Sequence, residues 1–329
     1  MSATVPEPGA RWRLRPALPF VGIGLAGICG LVAAASWLEA WRAAEQDARV
    51  RRTHTLEGTI DQYPDFRSAL LGNTRAVSVY LPRNYPVEQE RRFPVLYVQD
   101  GQNVFDGATA TVAGQEWQLD ESAERLTVEG EIEPPIVVAI ASAPGAGREY
   151  EYTPARDPVS GRGGGADRYG RMLVEELKPW IDSSYRTRSG RESTGIVGSS
   201  LGGLVSLYVG LRFPAVFSRI ASLSPAAGRE KAFIVRFVDA LPAKPDTLVW
   251  IDVGSEEGPS AVSCARQLRD ALVRKGWREG AGLRYLEARG GRHDEASWAL
   301  RIPDVLAFLD PPSGGPAAGA APSSSALSR

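Results

Sequence analysis

The chain has 329 residues, of which 43% are hydrophobic and 23% are charged, and these values are ordinary for a globular protein. Its formal net charge of −1 gives no reason to expect nucleic acid or another polyanion as a partner. The two cysteines are Cys29 and Cys264. Because Cys29 lies in an apolar N-terminal run, a fold held together by disulfides is excluded.

The N-terminal region combines a basic stretch, residues 1–16, with an uncharged apolar run at 17–38. About 20 apolar residues are enough to cross the hydrocarbon core of a bilayer. Residues 17–38 therefore predict a transmembrane anchor or a signal segment. The anchor is favoured, and the alanines at 33–35 leave cleavage open as the alternative. We expect the protein to work outside the cytoplasm, periplasmic or secreted, and to be tethered to the inner membrane if the segment is retained.

The rest of the chain divides by composition into a linker, one large domain and a tail. Residues 39–53 are polar and rich in arginine and glutamate, which predicts a juxtamembrane linker. Residues 54–310 contain the apolar periodicity of a single globular domain. Residues 311–329 consist mainly of proline, glycine, alanine and serine. A segment of that composition buries too little apolar surface to order itself, so we expect a disordered tail.

Within residues 54–310, short β-rich apolar segments alternate with amphipathic ones. The predicted strands are 76–81, 94–99, 135–141, 194–197, 220–223, 247–253 and 283–287. The predicted helices are 119–126, 166–181, 201–212, 228–240, 261–275 and 295–309. This alternation predicts βα units around a mostly parallel central sheet flanked by helices, an α/β fold. The segments before residue 94 predict an antiparallel hairpin at the sheet edge.

The segment 194–203 places a serine between a predicted strand and a predicted helix. It contains the pattern Gly198-x-Ser200-x-Gly202. A nucleophilic serine on a tight strand-to-helix turn needs small neighbours, and glycine removes the collisions that larger side chains would make. A Gly/Ser-rich turn without chemistry is the alternative, and Ser199 is the rival nucleophile. Only Ser200 has the two-residue spacing to both glycines, so we favour Ser200.

A serine nucleophile needs a general base, for which histidine is the usual residue near neutral pH. The chain contains only His54 and His293. His293 follows the last predicted strand and comes after Ser200, in the order serine, acid, histidine that this kind of turn predicts. We therefore interpret His293 as the base and His54 as a surface or linker residue.

The third member of the triad should be an acid that follows a strand between the serine and the histidine. The strand 247–253 leads into Glu256 and Glu257. Glu257 is the first choice and Glu256 the second, while Asp252 lies within the strand and is less well placed. The acid would fix the imidazole tautomer and stabilise the imidazolium.

An oxyanion hole for such a serine would use main-chain N–H groups. One is expected from Leu201, the residue after the nucleophile. The second is expected from Gly101 or Gln102 in the loop after the strand 94–99, where a plain Asp-Gly surface turn is the alternative. Trp117 and Tyr152 are candidate substrate contacts, although aromatic residues in such loops are as often packing.

No motif predicts a metal or a cofactor. Gly22-x-Gly24-x-x-Gly27 has the spacing of a dinucleotide fingerprint, but it lies in the apolar N-terminal run and not after a strand. Two histidines are too few for most zinc sites, and no phosphate-binding loop is present. We therefore expect no cofactor and no metal.

Several stretches, taken in order, resemble the putative-esterase family of α/β hydrolases. That family includes enterochelin esterase-like enzymes, feruloyl and acetyl-xylan esterases, S-formylglutathione hydrolase and the mycolyltransferases. The similar stretches are 79–82, 96–106, 175–182, 198–203, 253–257 and the His293 segment, so the likeness covers most of residues 55–310. The resemblance implies the α/β-hydrolase fold for the domain 54–310. It places Ser200 and His293 at the nucleophile and base positions and leaves the acid open.

The resemblance also implies an activity, cleavage of a carboxylic ester by a two-step serine acyl-enzyme mechanism without a cofactor. The substrate would be a small-molecule ester, such as a siderophore or a feruloyl or acetyl ester, and the family does not fix which. Two alternatives stay open. One is acyl transfer to a cell-envelope acceptor by the same residues. The other is a non-catalytic ligand-binding module on the hydrolase scaffold.

Overall fold

The structure, a computed structural model, describes residues 54–312 of the chain. The predicted basic region (1–16), the anchor or signal segment (17–38) and the linker (39–53) lie outside these residues, as does the predicted tail from residue 313 onward. Within residues 54–312, no helix combines the length and the apolar character needed to cross a membrane.

One nine-stranded sheet forms the centre of the described chain. Its strands are β1 Thr59–Ser68, β2 Asn73–Leu81, β3 Val95–Gln99, β4 Ile136–Ile140, β5 Thr194–Ser199, β6 Arg219–Leu223, β7 Leu248–Gly254, β8 Arg278–Glu279 and β9 Gly282–Ala288. They lie in the order β1-β2-β4-β3-β5-β6-β7-β9-β8. The hairpin β1–β2 and the pair β2–β4 are antiparallel, and the other neighbouring strands are parallel. The predicted mostly parallel α/β architecture is confirmed.

Helices cover both faces of this sheet. They are α1 Leu119–Glu129, α2 Ala146–Tyr152, α3 Ala166–Met172, α4 Lys178–Ser184, α5 Leu201–Arg212, α6 Arg229–Ala240, α7 Pro259–Lys275, α8 Glu295–Ala299 and α9 Ile302–Leu309. A π-helical turn, Leu173–Leu177, joins α3 to α4, so the predicted helix 166–181 is present but not purely α-helical. Short 3₁₀ turns occupy Gly101–Asn103 and Arg191–Ser193.

The prediction of one helix over 295–309 was wrong, because the helix is interrupted between α8 and α9. Pro303 lies in the first turn of α9. Proline has no N–H to donate to the carbonyl four residues earlier, and its ring clashes with that carbonyl. Helix α2 and the two-residue strand β8 were not predicted, since both are too short to show a hydrophobic period.

The core lies on both faces of the sheet. Along β3, Val95 and Tyr97 belong to the apolar cluster on one face, and Leu96 and Val98 belong to the cluster on the other. Helices α3, α5 and α7 contribute to the first cluster, and α1 and α9 to the second. Burial on both faces explains why the central strands read as continuous apolar runs. The parallel strands end together at one edge, which is where open α/β sheets bind ligands.

A buried ion pair joins the antiparallel edge of the sheet to the helices. Arg75 on β2 donates to Glu151 on α2 through Nη1 and Nη2, at 3.0 and 2.8 Å. Both side chains are almost completely buried. The Arg75 guanidinium also lies 5.5 Å from the centre of the Tyr169 ring. Because both charges are removed from water, each depends on the other for its stability.

Removing one partner of this pair should destabilise the protein strongly. We expect Arg75→Met to lower the free energy of unfolding by about 3–5 kcal/mol, because Glu151 is left as an uncompensated buried charge. Arg171→Gln is the control, since Arg171 pairs with Glu175 at 2.7 Å on the surface and such exposed pairs contribute only about 0–1 kcal/mol. Urea denaturation followed by circular dichroism measures both, and equal effects of the two variants would contradict this account.

Candidate active site

Ser200 lies in the turn between β5 and α5. Its backbone has φ 55° and ψ −120°, and residues with a side chain rarely adopt a positive φ. Two hydrogen bonds hold the turn: the N–H of Ser200 donates to the Leu223 carbonyl at 2.9 Å, and its carbonyl accepts from the N–H of Ala226 at 3.0 Å. A residue held in so sparsely populated a conformation is fixed by its surroundings, and such residues concentrate at functional sites.

The glycines that flank Ser200 are required by close contacts. A Cβ on Gly198 would lie 2.3 Å from the carbonyl oxygen of Gly202, and one on Gly202 would lie 2.8 Å from the Asp100 carboxylate. A Cβ on Gly203 would lie 3.0 Å from the Leu223 carbonyl oxygen. The pattern that singled out Ser200 in the sequence is therefore a steric requirement of the turn.

Ser200, His293 and Glu257 form one hydrogen-bonded chain. His293 Nε2 lies 2.9 Å from Ser200 Oγ, and His293 Nδ1 lies 2.7 Å from Glu257 Oε2. The side chain of His293 is 46% exposed and that of Glu257 is 2% exposed, so the imidazole faces solvent and the carboxylate lies behind it. The other histidine, His54, contacts Asp106 instead, with 2.8 Å between Nδ1 and Oδ2. The geometry thus brings together the three residues that the sequence favoured.

The two other candidate acids make different contacts. Glu256 forms an exposed ion pair with Arg292, with 3.1 Å between Oε2 and Nε. Asp252 is fully buried in β7 and binds Arg301. Of the three carboxylates considered from the sequence, Glu257 is the one that contacts the imidazole of His293.

The pKa of Glu257 is lowered even though its environment is partly desolvated. Burial alone would raise the pKa of this carboxyl, but hydrogen bonds from His293, from the Ser224 hydroxyl and from the Gly254 N–H together outweigh burial. These donors lie 2.7, 2.5 and 2.7 Å from the carboxylate oxygens. Glu257 is therefore ionised at neutral pH, as a group that stabilises an imidazolium must be.

Ser224, which sequence reasoning missed, orients Glu257. The Ser224 Oγ accepts hydrogen bonds from Trp298 Nε1 at 3.0 Å and from Arg301 Nη2 at 3.2 Å. A serine hydroxyl has a single proton to donate. Since two donors already point at this oxygen, the proton is directed to Glu257 Oε1, 2.5 Å away. No local motif marks Ser224, because the three partners of its hydroxyl come from other parts of the chain.

The buried ion pair between Arg301 and Asp252 holds Ser224 in position. Arg301 Nη1 donates to Asp252 Oδ1 at 2.9 Å, and Trp250 Nε1 donates to Asp252 Oδ2 at 2.8 Å. The main-chain N–H of Ser224 also lies 3.0 Å from Asp252 Oδ1. Burial raises the pKa of Asp252 to about 6, although the charge of Arg301 opposes the rise. The role of Asp252 is thus to hold Arg301 and Ser224, not to contact His293.

The predicted oxyanion donors lie at the starts of two helical turns. Leu201 is the first residue of α5, and Gln102 lies in the 3₁₀ turn that follows β3. The first N–H groups of a helix have no partner within it, so both are available to a ligand. Gly101 cannot be replaced by a larger residue, because a Cβ there would lie 2.5 Å from the backbone of Ala139 and Ile140. An oxyanion hole formed by Leu201 and by Gly101 or Gln102 stays a prediction.

A cleft of about 560 Å³ is formed by the loop after β3, the loop after β4 and the start of α8. The polar side chains on its wall include Asp100, Gln102, Asn103, Ser142, Arg148 and Glu295. Arg148 donates to both carboxylate oxygens of Asp100, at 2.7 and 2.9 Å, and Asn103 donates to Glu295 at 3.0 Å. These pairs fix the wall before any ligand arrives. The volume lies within the range of small-molecule sites.

The expectation that Trp117 and Tyr152 contact substrate is corrected by their burial. Both side chains are 0% exposed, so neither presents a surface to the cleft. Trp117 packs edge-to-face against Trp298, which in turn packs against the His293 ring at 5.1 Å between centroids. The Tyr152 hydroxyl accepts from the N–H of Asp100 at 3.2 Å. Both residues support the site from behind.

Comparison with known sequences and structures places this geometry in a family. The family model described as putative esterase matches residues 68–309. The Bacillus subtilis protein YbbA is 31% identical over 254 residues, which cover 72% of this chain and 93% of YbbA. An endo-1,4-beta-xylanase/feruloyl esterase of Xylanibacter ruminicola is 25% identical over 260 residues, 78% of this chain but 32% of that longer protein.

Among solved structures, the enterobactin esterase FES from Shigella flexneri, solved in the presence of enterobactin, has a TM-score of 0.62 to this chain. The two are 18% identical, and the match covers 78% of this chain and 60% of FES. The TM-score shows a shared fold, and at 18% identity the likeness shows the fold alone. The described domain therefore has an esterase-like α/β fold.

The contact between Glu257 and His293 should control the reactivity of Ser200. We expect Glu257→Gln to slow labelling of Ser200 by a fluorophosphonate probe by about 100-fold or more, because the amide cannot stabilise the imidazolium that forms on proton transfer. Glu256→Gln is the matched control and should label at the wild-type rate. Labelling rates are measured by mass spectrometry of the modified peptide. A slow Glu256→Gln and a fast Glu257→Gln would reverse the assignment of the acid.

Proposed function

Because this chain belongs to the putative esterase family and is a carboxylic ester hydrolase, we propose that it cleaves a small-molecule ester through an acyl-enzyme on Ser200. The observation that carries this proposal is the hydrogen-bonded chain from Ser200 Oγ through His293 to Glu257. A hydroxyl at 2.9 Å from an imidazole nitrogen can transfer its proton as it attacks a carbonyl.

In the first step, Ser200 Oγ attacks the ester carbonyl carbon and its proton moves to His293 Nε2. The negative charge on the former carbonyl oxygen is stabilised by the N–H groups of Leu201 and of Gly101 or Gln102. The positive charge on the imidazolium is balanced by Glu257. The tetrahedral intermediate then collapses, the C–O bond to the alcohol breaks, and His293 Nε2 gives its proton to the leaving oxygen. An acyl-serine and a free alcohol result.

In the second step, a water molecule takes the place of the alcohol. His293 removes a proton from this water, and the hydroxyl oxygen attacks the acyl-serine carbonyl. The second tetrahedral intermediate collapses with return of the proton to Ser200 Oγ, which releases the carboxylic acid. The exposure of His293 supports this step, because water can reach the imidazole.

The substrate class is proposed from the cleft and from the named relatives. The cleft of about 560 Å³ has the volume of a small-molecule site and is lined by side chains that can form hydrogen bonds. The similar proteins include a feruloyl esterase and an enterobactin esterase. We propose a small ester of this kind, such as a siderophore, feruloyl or acetyl ester, as the substrate.

The site of action is proposed from the N-terminal sequence alone. Residues 17–38 are uncharged and long enough to cross a bilayer. We propose that this segment carries the esterase domain out of the cytoplasm, where it remains tethered to the inner membrane unless the segment is cleaved.

Replacing Ser200 should abolish hydrolysis, whereas replacing the neighbouring Ser199 should leave hydrolysis nearly unchanged. We expect Ser200→Ala to lower kcat/KM for a short p-nitrophenyl ester by more than about 1,000-fold, because no nucleophile remains. Ser199→Ala is the control and should retain nearly full activity, since Ser199 lies buried at the end of β5. Hydrolysis is followed by release of nitrophenolate. A Ser200→Ala protein with wild-type turnover would exclude the proposed mechanism.

A further inference from the structure

Three acidic side chains converge at the start of α1, apart from the triad. They are Glu116, Asp120 and Glu121, and one oxygen of each lies within 4.8 Å of the others. Glu116 is 6% exposed and Asp120 is 0% exposed, while Glu121 is partly buried. Three carboxylates so close together and so poorly hydrated repel one another unless a positive charge or protons lie between them.

Each of these carboxylates has an oxygen that finds no hydrogen-bond donor among residues 54–312. These atoms are Glu116 Oε2, Asp120 Oδ1 and Glu121 Oε2, and all three are buried. The remaining oxygens of the two most buried groups are engaged. Glu116 Oε1 accepts from the Thr55 hydroxyl, and Asp120 Oδ2 accepts from the N–H of Glu57 at 2.7 Å. Buried polar atoms without partners are rare in proteins, and an unfilled ligand site is one of their recognised causes.

The arginines nearby pair with other carboxylates. Arg83 lies 3.8 Å from Glu124, and Arg125 lies 2.8 Å from Glu129. In the described part of the chain, no ion pair involves a member of the cluster. Among the described residues, no positively charged side chain is therefore paired with the three carboxylates.

An open cleft reaches one member of the cluster, Glu121, from solvent. It has a volume of about 750 Å³, and Glu121 lies on its wall together with Glu57, Glu124 and Glu129. A site that holds an ion needs an entry path as well as ligands. Four glutamates and two arginines, Arg83 and Arg125, line this cleft, so its excess of negative charge favours cations at the entrance.

We propose that Glu116, Asp120 and Glu121 bind a calcium ion. The available ligands are all carboxylate oxygens, which hard cations prefer over the softer transition metals. Calcium accepts six to eight oxygens in irregular geometry, whereas magnesium demands a near-ideal octahedron. The three side chains supply part of this shell and water entering from the cleft supplies the rest. No short motif in the sequence indicated this site, because the three residues lack the spacing of a known calcium loop.

The bound ion would have a structural role. Thr55 and Glu57 are hydrogen-bonded to the carboxylates that would hold calcium, so the ion would fasten the start of the domain to α1. Trp117, between the ligands, packs against Trp298 behind His293. Calcium would therefore stabilise the fold on the side that supports His293, without taking part in the ester chemistry.

Thermal unfolding of the full-length protein tests this proposal. We expect 2 mM calcium to raise Tm by roughly 5 °C over the protein in EDTA, the shift for a ligand about 100-fold above its Kd in a domain of this size. Magnesium at the same concentration should give a smaller shift. Isothermal titration with calcium chloride should show one site per chain. No calcium-dependent shift and no binding heat would overturn the proposal.

Substitutions that remove one charge each identify the ligands. Asp120→Asn and Glu116→Gln keep the side-chain volume and should lose the calcium-dependent shift, while in EDTA they should be at least as stable as the wild type because repulsion is relieved. Glu129→Gln is the control, since Glu129 lies on the same helix and the same cleft but outside the cluster. It should keep the full shift. An undiminished calcium-dependent shift in both Asp120→Asn and Glu116→Gln would overturn the assignment. If one of the two variants folds poorly, isothermal titration of the other with calcium tests the assignment.

Discussion

The positive φ of Ser200 is the constraint on which the arrangement of the site depends. The turn is possible because α5 begins close to β5 and to the ends of the neighbouring strands, which leaves too little space for a Cβ at Gly198, Gly202 or Gly203. The same close approach exposes the serine hydroxyl at the end of the strand and brings the first N–H of α5 to the same point. One local distortion thus positions both the attacking atom and a group that can receive the charge it creates.

Behind the exposed residues, a buried polar network fixes the direction of every hydrogen bond. Asp252 holds Arg301, Arg301 and Trp298 donate to Ser224, and Ser224 donates to Glu257. Because Ser224 donates to Glu257 Oε1, Glu257 Oε2 can accept a hydrogen bond from His293 Nδ1–H. This bond favours the tautomer that has its proton on Nδ1 and a lone pair on Nε2. Asp252 lies on β7 and Trp298 on α8, while Ser224, Glu257 and Arg301 lie in the connections between elements, where these hydrogen bonds hold them in place before substrate arrives.

Much of the fold and the three residues of the hydrogen-bonded chain could be predicted from sequence, because they leave local signals. Continuous apolar runs marked the buried strands, the glycine spacing marked Ser200, and the scarcity of histidine left His293 as the natural base. Apart from the helix break at Pro303, the failures are non-local. Ser224 and Arg301 act through partners far away in sequence, so no pattern indicates them. The burial of Trp117 and Tyr152 depends on which loops cover them, and the break at Pro303 was overlooked although proline signals it.

Trp298 joins several of these features, since its ring contacts His293 and its N–H binds Ser224. An indole in van der Waals contact with an imidazole changes its emission when that imidazole gains a proton or moves. The site therefore contains a natural optical reporter, placed where the proton from Ser200 arrives. Acylation and its reversal should be visible as a change in intrinsic fluorescence, without any label attached to the protein.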